Sequence, residues 1–165
     1  MKRVLYTGSF DPITKGHMDI INQACTLFDE VVVGVLVNNK KTPLFSVEER
    51  LEMIKELYKD NNQVYVISDT KAAIDVALEN NCIAIIRGLR SLTDFDYEIG
   101  MSNINKQLSD NKINTVCLFA DKEYQYISSS MVKEVFDLDK DISLYVDDYV
   151  KGKMKVKKYG NKNTR

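Results

Sequence analysis

At 165 residues the chain has room for one domain with a sizeable core, and a composition 44% hydrophobic and 28% charged excludes a disordered protein. The formal net charge is only −1, no apolar run approaches the ~20 residues of a membrane span, and the start MKRVLYTGSFD lacks the long apolar stretch of a signal peptide. A cytoplasmic protein with neither a membrane nor a nucleic-acid partner is the expectation.

The first predicted strand is RVLYTG (3–8), followed by the loop GSFDPIT and a helix in KGHMDIINQACTLF, where Met18, Ile21, Cys25 and Phe28 recur at spacings of three and four. EVVVGVLV (30–37) reads as a second strand. SVEERLEMIKELYK then begins with Ser46 and carries Glu49 three residues on, a capping-box start, with an apolar face of Val47, Leu51, Ile54 and Tyr58. QVYVIS (63–68), CIAIIRG (82–88) and NTVCLFA (114–120) complete five strands. The segments TKAAIDVALENN and SLTDFDYEIGMSNINKQL between them have the length of helices. Near-continuous Val and Ile runs alternating with helices predict an α/β fold, a five-stranded parallel sheet with helices on both faces.

From Lys151 onward there are seven basic residues and no acidic ones, which leaves the body before them acidic. Residues 1–150 therefore read as a single domain and 151–165 as a basic tail, a solvated and partly frayed end. The cysteines, Cys25, Cys82 and Cys117, are odd in number and set among apolar neighbours, the pattern of buried free thiols in a reducing compartment and not of a metal cluster.

In a parallel sheet, ligands bind beyond the carboxyl ends of the strands, where the strand order reverses. The residues that follow the predicted strands share a chemistry. Gly8-Ser9-Phe10-Asp11-Pro12 leads to Gly16-His17 after the first strand. Lys40 and Lys41 follow the second, with Lys40 read as solvated. Arg87, Gly88 and Arg90 end the fourth. Tyr124 and Tyr126 follow the fifth, before Ile127-Ser128-Ser129-Ser130 enters another helix. Glycine-flexed backbone, helix N-termini, cations and hydroxyls on one rim are suited to polyphosphate. His17, the only histidine, falls in a first helical turn where its ring can face a bound phosphate. The run ISSS serves equally as a helix cap. Tyr124 and Tyr126 read evenly as neighbours of a base or as cover for the sheet edge. Asp94 and Asp96 read as solvated or as a subunit contact.

Gly8-Ser9-Phe10-Asp11-Pro12-x-Thr14-x-Gly16-His17 resembles the signature of the (T/H)xGH nucleotidyltransferase superfamily, and Ile127-Ser128-Ser129-Ser130 resembles its second signature. Within that superfamily, KKTPLFSVEERLEMI, IRGLRSLTDFDYE and ISSSMVKEV are similar to the bacterial phosphopantetheine adenylyltransferases, a likeness running to about residue 150. Ser9 stands where that family often has threonine, and the hydroxyl is kept. The resemblance implies a Rossmann-like fold and transfer of an adenylyl group from ATP to 4′-phosphopantetheine, with Mg²⁺, by direct in-line attack in coenzyme A biosynthesis. It implies that His17 and Lys41 are catalytic. Ser9, Phe10, Gly88, Arg90, Glu98 and residues 127–130 would bind ATP, with Tyr124 beside them, while Ser9, Lys41, Ala73 and Arg87 would contact the second substrate. It also implies a homohexamer.

Two rivals are weighed. A nicotinamide-nucleotide adenylyltransferase or a glycerol-phosphate cytidylyltransferase of the same superfamily usually has histidine at the position of Thr14. A non-catalytic nucleotide sensor on this scaffold would be expected to lose His17, Lys41 or the paired arginines.

Overall fold

The computed structural model of the chain describes residues 1–37, 42–89 and 92–160. Strands β1 (Arg3–Gly8), β2 (Glu30–Leu36), β3 (Val64–Asp69), β4 (Ala84–Leu89) and β5 (Asn114–Phe119) form one sheet in the order β3-β2-β1-β4-β5, every pair parallel. The helices between them are α1 (Lys15–Leu27), α2 (Val47–Leu57), α3 (Ala73–Glu79) and α4 (Leu92–Leu108); α5 (Ser129–Asp137) and α6 (Asp148–Tyr159) follow the last strand.

Side chains alternate across the sheet, so neighbouring residues of one strand serve different cores. Val4 and Tyr6 of β1, with Val31, Val33 and Val35 of β2, pack against Ile20, Ile21 and Ala24 of α1 and Ile54 of α2. Val132 of α5 and Met154 of α6 join the same core. Leu5, Val32 and Ile85 point the other way, onto Ile74, Val76 and Ala77 of α3. The chain runs outward from β1 to β3, returns past β1 to β4 and continues to β5. Right-handed crossovers therefore place α1 and α2 on one face and α3 and α4 on the other.

The reversal of strand order falls between β1 and β4. Their pairing ends at Tyr6↔Ile86, although β1 continues to Gly8 and β4 to Leu89. The carboxyl ends of these two strands thus face each other unpaired, which is where a ligand crevice is expected.

Two readings are corrected. Residues 151–159 are not a frayed tail: they belong to α6, which begins at Asp148 and buries Val150 and Met154 completely. Their lysines pair with carboxylates, Lys151 with Asp141, Lys153 with Glu52, Lys157 with Glu49 and Lys158 with Asp139. Cys117 is exposed on edge strand β5, while Cys25 is half-buried and Cys82 buried, all three free. The predicted face of α2 packs as expected, with Ile54 and Tyr58 buried and Val47 and Leu51 against the same core, while Arg50 and Met53 are buried beside them. Among the described residues, no helix is long and apolar enough to cross a membrane.

Candidate active site

The reason for a threonine, a glycine and a histidine at this spacing is visible at the start of α1. Thr14 is the N-cap. Its hydroxyl accepts the His17 backbone N–H at 3.3 Å, and its own backbone N–H donates to His17 Nδ1 at 3.0 Å. A backbone N–H can only donate, so Nδ1 carries a lone pair and the ring N–H of the neutral imidazole lies on Nε2. Phe10 meets the imidazole edge-on at a centroid distance of 5.1 Å, and Tyr6 lies 6.5 Å away. One exchange of hydrogen bonds therefore both starts the helix and orients the ring.

Gly16 joins the two signatures. A Cβ there would lie 3.4 Å from the Tyr124 carbonyl oxygen and 3.8 Å from that of Ile127, so the first turn of α1 packs directly on the segment that leads into α5. Ser128 caps α5 by accepting the Met131 N–H at 3.1 Å, and the Ser129 hydroxyl donates to the Pro12 carbonyl at 2.8 Å. Ser130 is exposed, while the Ile127 side chain is buried. The reading of ISSS as a cap is correct for Ser128.

The loop between β1 and α1 is held from three sides. Phe10 takes φ +47°, a costly conformation for a bulky residue, and its fully buried ring tucks under Gly8, where a Cβ would stand 3.1 Å from Phe10 Cζ. Phe10 therefore offers the rim no side chain, and exposed Ser9 stands beside it. The buried Asp11 carboxylate accepts the N–H groups of Leu44 and Phe45, each at 2.9 Å, and pairs with Lys133 of α5 at 2.9 Å. Arg50 of α2 donates to the Ser9 carbonyl at 2.9 Å.

Two residues expected to face different substrates meet each other. Arg87, at the end of β4, grips Glu98 of α4 with two bonds, Nε to Oε2 at 2.8 Å and Nη2 to Oε1 at 2.5 Å. Burial works to lower the Arg87 pKa, but the hydrogen bond and charge of Glu98 outweigh it and hold it above its ordinary value. Gly88 follows, close against Ile20 of α1. Ala73 opens α3 beyond edge strand β3, half-buried at the carboxyl end of the sheet. Tyr124 is partly buried against the α1 face, and exposed Tyr126 packs edge-on to Tyr145. Lys41 and Arg90 lie outside the described residues.

Sequence reasoning missed Arg50, Lys133 and the inward role of Asp11. Arg50 did carry a signal, since a charged residue lies on the same helical stripe as Met53 and Ile54.

The Cytidylyltransferase-like family model matches residues 5–135. The chain is 44% identical over 155 residues to a phosphopantetheine adenylyltransferase of Leptospira biflexa, covering 94% of this chain and 96% of that one. It is 43% identical over 150 residues to one of Lachnoclostridium phytofermentans, covering 91% of each. Among solved structures, a Plasmodium falciparum nicotinic acid mononucleotide adenylyltransferase complexed with NaAD superposes with a TM-score of 0.69 at 16% identity, covering 96% of this chain and 98% of that one, a likeness of fold.

Proposed function

Because the chain belongs to the phosphopantetheine adenylyltransferase family, it transfers the adenylyl group of ATP to 4′-phosphopantetheine, and we propose the route that its own residues support. A phosphate oxygen of 4′-phosphopantetheine attacks the α-phosphorus of ATP in line. The bond between that phosphorus and the bridging oxygen to the β-phosphate breaks, giving dephospho-coenzyme A and pyrophosphate in coenzyme A biosynthesis.

The two substrates bring about five or six negative charges together, so positioning and charge neutralisation dominate such transfers. His17 Nε2–H donates to the α-phosphate as charge builds in the five-coordinate transition state. Ser9, the Phe10 main chain, Gly88, Arg90 and Glu98 hold the nucleotide, with Tyr124 flanking it. The N-terminus of α5, residues 127–130, receives the triphosphate. Lys41 and Arg87 hold the attacking phosphate, with Ser9 beside it and Ala73 further along the pantetheine arm. In this assignment the ion pair of Arg87 with Glu98 sets the guanidinium plane before substrate arrives.

Mg²⁺ bound with the nucleotide would supply charge neutralisation at its phosphates. Asp11 and Glu98 are engaged with N–H groups and cations, so the ion would depend on the nucleotide more than on these carboxylates. Phe95, Tyr97, Ile99, Ile104 and Leu108 on α4, with Phe119 on β5, are exposed, which supports burial of this face in a homohexamer. The free thiols accord with a cytoplasmic setting.

The observation that carries the reading is the imidazole locked by Thr14 in the first turn of α1, packed through Gly16 against the entrance to α5. Pyrophosphate release from ATP, Mg²⁺ and 4′-phosphopantetheine tests it. His17→Ala is expected to lower kcat on the order of 10²–10³. A variant that kept its rate would remove His17 from the centre of the reaction. Turnover of nicotinamide mononucleotide or glycerol 3-phosphate in place of 4′-phosphopantetheine would overturn the substrate.

A further inference from the structure

Arg50 is buried, with 4% of its surface exposed, and forms no ion pair among the described residues. Its guanidinium bonds two carbonyls instead. Nε donates to Ser46, the N-cap of its own helix, at 3.2 Å, and Nη1 donates to Ser9 at 2.9 Å. A buried cation held by neutral carbonyls bears desolvation that a carboxylate partner would have offset.

The Ser9 carbonyl shares a peptide unit with the Phe10 N–H. In a trans peptide the two point in opposite directions, so a guanidinium on the carbonyl side leaves the N–H facing away from α2. Among the described residues that N–H has no hydrogen-bond partner, although Phe10 is completely buried. A buried backbone donor without an acceptor is rare and calls for one. Polarising the carbonyl also strengthens the N–H as a donor, because hydrogen bonds through one amide reinforce each other.

We propose that Arg50 is a positioning residue for adenylyl transfer: by holding the Ser9 carbonyl it fixes and polarises the Ser9–Phe10 peptide, so that the Phe10 N–H is presented to the nucleotide. The inference rests on the placement of Ser9 and Phe10 on the ATP side. Arg50 touches no substrate and acts only through that peptide. A lysine cannot replace it fully, since one ammonium on a flexible stem does not reproduce the fork that spans both carbonyls.

The test compares the native protein with Arg50→Lys and Arg50→Gln, each assayed below its melting temperature. ATP affinity is measured by calorimetry without the second substrate, and kinetics separate the two KM values from kcat. Arg50→Gln is expected to weaken ATP about tenfold, the effect of one hydrogen bond to a charged group. KM for 4′-phosphopantetheine should stay within about twofold, and Arg50→Lys should fall between native and Gln. The Phe10 amide proton, followed by NMR, should move upfield in Arg50→Gln. If both variants merely melt earlier and keep the native ATP affinity and kcat, Arg50 is structural only and the proposal is overturned. A loss confined to 4′-phosphopantetheine overturns it as well. A native protein that fails to bind ATP would instead sink the underlying assignment, a failure seen before any variant is made.

Discussion

Thr14 and His17 each complete the other, and their mutual bonds separate by substitution. Thr14→Val removes the hydroxyl that caps α1 but leaves the backbone N–H on Nδ1. The expected cost is about 0.5–2 kcal/mol in urea unfolding. Its kcat should fall far less than that of His17→Ala, because the imidazole keeps its main-chain anchor. These residues were legible because a short local string carries the whole interaction. Arg50 and Lys133 were not. Their partners, Ser9 and Asp11, lie 41 and 122 residues away, and nothing in the local pattern of α2 or α5 encodes a carbonyl or carboxylate brought in by the fold. The bidentate pair of Arg87 with Glu98 is hidden for a related reason: the two stand on different elements, eleven residues apart, and only the fold joins them.

Helix α6 shows how composition can hide an element. Val150 and Met154 are one helical turn apart and fully buried, but they stand among lysines that dominate the reading of the segment. Met154→Ala should destabilise the fold by about 2–5 kcal/mol, measured by chemical denaturation, as for other large-to-small changes in a core. The lysines are anchored too. The Lys151 bond, and after it those of Ser143, push the Asp141 carboxyl down to about 2. A folded value below the unfolded one means that the unfolded chain takes up the proton first as pH falls. The stabilisation is thus complete above roughly pH 4 and lost as pH approaches 2. Lys151→Met should unfold slightly more easily than the native protein at pH 6, and urea titrations at pH 2 should no longer separate the two. The five strands and helices α1 to α5 were legible, with ends off by up to three residues, because each is set off by a recognisable apolar run, period or cap.

At the scale of the molecule, alternation of strand and helix predicted a parallel sheet but not its order. The order is decided when the chain leaves β3 and crosses by α3 to the opposite face, a choice made by Ile74, Val76 and Ala77 meeting Leu5, Val32 and Ile85 across a long sequence gap. The exposed apolar face of α4 makes a separate prediction. Ile104→Asp with Leu108→Asp should shift the protein toward monomer in light scattering, and an unchanged mass would show that this face is not the contact. The clasp at Asp11 bears on time as well as shape. Its carboxylate joins loop, Leu44–Phe45 and Lys133 across sequence separations of 33, 34 and 122 residues. Closures that long follow local helices and neighbouring strand pairs. Asp11→Asn should therefore speed unfolding while leaving the refolding rate nearly unchanged in stopped-flow traces. The rim at the carboxyl ends of β1 and β4 would be the last part of the molecule to assemble and the first to come apart.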